Sequence, residues 1–129
     1  MAEEITFEVF GIPTPQGSKN VYRGRLVEAQ SAKLKIWRQE VKDQAALAYT
    51  GELLEGALRL DVIFFMPRPK TVKRDKPTVP PDTDKLIRGV GDALTGTIFR
   101  DDSQLVEIYA EKRYADDRMP GAELKITVL

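Results

Sequence analysis

A mixed α/β sheet with two main helices packed on one face (an α+β arrangement) is the fold class predicted by this sequence. Three patterns carry that prediction. Strand-like runs and helix-period segments follow one another in the order β(β)–α–β–α–β–β. Leu58 to Met66 is dense in β-formers and bounded by Gly56 and Pro67. Ser31 to Tyr49 and Thr83 to Leu94 space their apolar residues by three and four.

Along the chain, Ile5 to Phe10 alternates polar and apolar residues and reads as a first strand. The segment from Gly11 to Asn20 carries two prolines and two glycines, which break any regular element. Val21 to Val27 reads as a small hairpin turning at Arg23-Gly24. Ser31 is the expected N-cap of the first helix, whose apolar stripe is Leu34, Trp37, Val41, Ala45 and Ala48. Pro67 to Pro81 holds five prolines and a basic block, and reads as an extended, mobile loop. The second helix presents Leu86, Val90, Ala93 and Leu94 to the core. Strands from Gln104 to Tyr114 and from Glu123 to Leu129 follow, joined by the turn Asp116 to Gly121. At 129 residues the expectation is a single domain over 1–129 with one core.

Composition narrows the chemistry. The chain has no cysteine and no histidine, so thiolate zinc sites, disulfides and imidazole bases are excluded. Hydrolysis would have to run on carboxylates, hydroxyls, Lys or Arg, and a metal. The acidic start, Met1-Ala2-Glu3-Glu4, lacks a signal-peptide pattern, and no apolar run reaches membrane-spanning length. A cytoplasmic protein with no membrane partner is the expectation. Twenty basic residues balance twenty acidic ones, which argues against indiscriminate polyanion binding. Their placement matters more than the sum.

Arg68, Lys70, Lys73, Arg74 and Lys76 form a basic block immediately upstream of the acids. Asp82, Asp84, Asp92, Asp101 and Asp102 then fall within one helix and the following turn. Crowded carboxylates repel unless a cation holds them, and oxygen-only ligands select a hard cation such as Mg²⁺ or Mn²⁺. A helix start and a neighbouring strand end can bring such carboxylates to a common point. Basic residues beside the cluster suit phosphate, giving grip without sequence reading. A metal-dependent enzyme acting on nucleic acid is the functional reading. Each part also has a plain alternative. Asp84, Arg88 and Asp92 could form a solvated ladder, Asp82 and Asp101 could be caps, and the basic loop could be surface decoration. Trp37 reads as core, whereas Tyr22 and Phe99 are the candidates for base stacking.

The run Pro81-Asp82-Thr83-Asp84-Lys85-Leu86-Ile87-Arg88, continued by Asp92-Ala93-Leu94 and Asp101-Asp102-Ser103-Gln104, resembles the signature of RusA-type Holliday-junction resolvases. The loop Pro13 to Asn20 is similar to that family's early proline-rich loop. The resemblance implies a homodimeric, Mg²⁺-dependent endonuclease that resolves four-way DNA junctions by paired nicks in recombination and repair, often in a phage or prophage setting. It implies Asp82, Asp84 and Asp102 as catalytic and metal-binding residues, with Arg88 where the family carries an essential lysine. Lys19, Arg68, Lys70, Lys73, Arg74, Lys76 and Lys85 are the expected DNA contacts. A flap or fork nuclease of the same fold and a non-enzymatic DNA-binding protein are the alternatives.

Overall fold

The computed structural model describes residues 3–16 and 25–129, with the side chains of residues 25–31 left out of the description. Among the described residues four strands and two helices follow in order: β1 (Glu4–Phe10), α1 (Arg25–Ala48), β2 (Leu58–Met66), α2 (Thr83–Leu94), β3 (Leu105–Tyr114) and β4 (Gly121–Val128). A single 3-10 turn, Asp102–Gln104, precedes β3. The sheet order is β1-β4-β2-β3. β4 is antiparallel to both neighbours, and β3 runs parallel to β2. This is the mixed sheet with two helices that the sequence predicts.

Register explains the single core. Leu60 faces Ile126, and Val62 faces Leu124, so one side of the sheet is a continuous apolar surface. Ile126 and Ala122 meet Ile5 and Val9 on β1 in the same way. Trp37, Val41 and Ala45 of α1 and Leu86, Val90, Ala93 and Leu94 of α2 close over that surface, all fully buried or nearly so. Each large aliphatic or aromatic side chain buried there contributes about 1.5–3 kcal/mol against the entropy of ordering the chain. The opposite side of the sheet is charged. There Arg118 lies 3.8 Å over the Phe65 ring and pairs with Glu123 at 3.0 Å.

Three expectations need correction. α1 begins at Arg25, so Ser31 is inside the helix and not its cap, and Arg25 to Val27 are helical and not half of a hairpin. The rest of the expected hairpin, Val21 to Gly24, lies outside the described residues, as do Lys19 and Tyr22. Phe99 is fully buried and cannot stack on a base. It belongs to the turn after α2, where Gly96 N donates to its carbonyl at 2.7 Å and its ring fills the core.

The loop from Pro67 to Pro81 contains no helix or strand, but it is tied down. Arg68 lies over the Tyr114 ring, donates to the carbonyls of Val72 and Arg74 at 3.1 and 2.7 Å, and forks onto Asp116. Lys112 on β3 donates to the carbonyls of Val79 and Pro81, both at 2.9 Å. These contacts set where the loop delivers Asp82.

Candidate active site

Asp82 is the N-cap residue of α2, with extended backbone geometry, yet its side chain makes no capping hydrogen bond. Among the described residues its one ion pair is with Lys85, at 3.6 Å, with the carboxylate 58% exposed. Asp84 follows in the first turn, exposed, and is without a hydrogen bond or ion pair among the described residues. Arg88 lies one turn on, also exposed and unpaired among them. The ladder of Asp84, Arg88 and Asp92 that would make this face a plain solvated stripe is therefore not formed.

Asp102 reaches the same face from the far end of the helix. It leads the 3-10 turn, and its side chain lies against Gly91, where an added Cβ would stand 3.4 Å from its Oδ2. Gly91 is seven residues beyond Asp84 and three beyond Arg88, which is the same side of an α-helix. The helix rise places Asp84 and Gly91 about 10 Å apart along the axis. Asp84, Arg88 and Asp102 thus share one exposed side of α2, with the acids at its two ends and the guanidinium between, and Asp82 stands at the start of the helix.

The other two aspartates have structural work. Asp101 caps the 3-10 turn, accepting from Ser103 N at 3.1 Å and from the Ser103 hydroxyl, with Gln104 reaching back to complete a capping box. The Ser103 hydroxyl, then the Ser103 amide, hold the Asp101 carboxyl below the usual range. Asp92 accepts a short hydrogen bond from Gln16. Gln16 also donates its backbone N–H to the Lys85 carbonyl at 3.0 Å. Gly89 lies beneath this docked segment, where a Cβ would stand 3.4 Å from the Thr14 carbonyl, an ordinary contact. Gln16 and Lys112 were missed in the sequence, although two glycines inside a strongly amphipathic helix signal close neighbours.

The basic residues divide similarly. Arg68 is consumed by Asp116 and Tyr114, and its guanidinium lowers the Asp116 carboxyl. Arg74 donates to the Tyr114 hydroxyl at 2.7 Å while remaining exposed. Lys70, Lys73 and Lys76 are exposed, and Lys85 is half-buried beside Asp82.

The donor set suits a hard divalent cation, since Asp84 and Asp102 are exposed and uncommitted and the chain offers no thiol or imidazole. Among the described residues, however, no three His, Cys, Asp or Glu side chains stand close enough to hold a metal by themselves. The carboxylates share a face and do not converge on a point.

The profile of the endodeoxyribonuclease RusA family matches residues 11–127. The chain is also 32% identical to the uncharacterized protein YqaN of Bacillus subtilis (strain 168), over 95% of this chain and 94% of that one. Nearly the whole chain lies within the family match. The chain belongs to the RusA endodeoxyribonuclease family. Its class is therefore that of a hydrolase acting on DNA phosphodiester bonds. Among the described residues no helix is long and apolar enough to cross a membrane.

Proposed function

We propose that this protein is a Mg²⁺-dependent endonuclease that binds four-way DNA junctions as a homodimer and nicks two opposed strands, in recombination or repair. One observation carries the reading beyond its family. Of the five aspartates, the three matching the family's catalytic positions are the three with no clear structural task. Asp82 stands at a cap position without capping, and Asp84 and Asp102 are unpartnered among the described residues. Asp92 and Asp101 are the two that hold the structure together.

Asp82, Asp84 and Asp102 are the carboxylates from which the cation would draw its protein ligands. Mg²⁺ takes one or two protein carboxylates and completes its shell with water and substrate phosphate, so a preformed protein cage is not required. When bound, the ion supplies Lewis-acid chemistry and a water of lowered pKa. Arg88, between the acids, is placed to donate to the non-bridging phosphate oxygens and to stabilise the charge that develops there. It is not a proton donor, because a guanidinium stays charged. The two-fold symmetry of a junction suits a C₂ pair of identical sites.

The test is cleavage of a panel of synthetic four-way junctions, flaps, forks and linear duplexes, with Mg²⁺, with Mn²⁺ and with EDTA. Paired nicks bearing 5′-phosphate ends on the junction, absent in EDTA, are expected. Preference for flaps or forks would move the protein to another branched substrate, and no cleavage of any DNA would remove the nuclease reading.

Lys70, Lys73 and Lys76 are the exposed lysines of the loop leading to Asp82. Replacing all three with alanine should flatten the log–log salt dependence of junction binding by up to about three units, near one per phosphate released. Filter binding or fluorescence anisotropy across a salt series measures the slope. An unchanged slope would mean that the loop does not touch phosphate.

A further inference from the structure

Among the described residues the sheet has two open edges, and they differ in kind. β1 exposes Glu4 and Glu8 on one face, so two copies of it laid antiparallel about Thr6 would set glutamate against glutamate. β3 is the longer edge, ten residues without proline or glycine. Its backbone pairs with β2 on one side only, and among the described residues no other segment hydrogen-bonds to that strand's free side. Val106, Ile108 and Tyr109 on it are 61%, 45% and 48% exposed. Exposed apolar residues on a long unbroken edge invite another strand.

The charge pattern of β3 states which strand. We infer that the edge of β3 pairs antiparallel with β3 of a second copy of this chain, about a two-fold axis through Ala110. This deepens the homodimer reading above by naming the surface that forms it. With the axis at Ala110, Glu107 stands opposite Arg113 of the second copy, and the symmetry repeats the pair. Val106 then faces Tyr114 of the second copy, and Tyr109 faces Glu111. Moving the axis to Tyr109 sets Glu107 against Glu111, and moving it to Glu111 sets that glutamate against itself. Opposite charges across strands stabilise the pair and like charges weaken it. Glu107 and Arg113 remain half-exposed beside their partners within the chain, Arg59 and Glu111, so each has surface left for a second contact. The pairing would join two four-stranded sheets into one, and it needs no side chain of the acidic stripe.

The chain lacks cysteine, which makes the register directly readable. In the Ala110→Cys variant two thiols meet on the axis, with Cα atoms about 4.5–5.5 Å apart, within disulfide reach. In Ile108→Cys each thiol stands four residues from its copy along the strand, about 13 Å away, and cannot bridge. Mild oxidation of the full-length protein, read on a non-reducing gel, should give a covalent dimer for Ala110→Cys and none for Ile108→Cys. Equal crosslinking of both, or of neither, overturns the register.

Sedimentation equilibrium of charge variants supplies the second measurement. Glu107→Arg and Arg113→Glu should each weaken the dimer about tenfold or more, and the double variant should recover to within about threefold of wild type. Singles that leave the dimer unchanged overturn the surface. A wild-type dimer without the Ala110 crosslink places the interface elsewhere and spares the homodimer reading, whereas a wild-type protein that stays monomeric on the junction removes both.

Discussion

Asp84→Asn is expected to abolish junction cleavage while leaving junction binding intact or tighter. The substitution removes a full negative charge from an exposed carboxylate that no described neighbour uses, so the fold loses only a favourable charge in the first turn of α2. What disappears is a hard oxygen donor and a repulsion toward DNA phosphate, which pull cleavage and binding in opposite directions. Asp82→Asn and Asp102→Asn should behave alike. Asp101→Ala should not, because Asp101 is spent on the cap of the 3-10 turn. It should lower the melting temperature and cleave normally below it. Single-turnover cleavage beside electrophoretic mobility shift separates these outcomes. If all three asparagine variants cleave within about threefold of wild type, the acidic stripe is not the catalytic site.

Arg88→Ala should lower the cleavage rate on the order of a hundredfold or more, the usual cost of losing one donor to developing charge. The side chain has no ion pair among the described residues, so its loss should leave stability unchanged. Arg88→Lys keeps a cation of similar reach and should retain substantial activity, lysine being the residue expected there from the family resemblance. Thermal denaturation beside the rate measurement makes the test specific. Normal cleavage by Arg88→Ala would make the residue a bystander. A lysine variant as inactive as the alanine one would show that bidentate guanidinium geometry is required here.

The elements nearest the site were legible because their boundaries are punctuated chemically. β2 and α2 run over the expected residues, between Gly56 and Pro67 for the strand and after Pro80-Pro81-Asp82 for the helix. α1 was misread at its start. Val21, Tyr22, Leu26 and Val27 favour strand locally, and Ser31 looks like a cap, yet the helix is already formed at Arg25. Phe99 was misread through its charged neighbour Arg100. An aromatic residue following Ile98 in a tight turn after an apolar helix has core, not solvent, on its inner side. The placing of Asp84 and Arg88 on one helix face follows from helical spacing, but the position of Asp102 does not. It comes from the turn after α2, which lays the Asp102 side chain against Gly91.

The place of β4 in the sheet has a consequence for how the protein comes into being. It is the last strand in chain order, yet it lies inside the sheet, with β1 on one side and β2 on the other. Until the ribosome has delivered residues through Val128, β1 has no neighbour and α1 packs over half a floor. Contacts joining such distant parts of a chain close late and slowly. The stretch from Pro80 to Gln104 is local by comparison, and its turn can bring Asp102 toward α2 early, but its platform is missing. A nascent chain therefore carries its acidic stripe without a rigid support, and the platform for cutting DNA is finished only after the final strand has emerged.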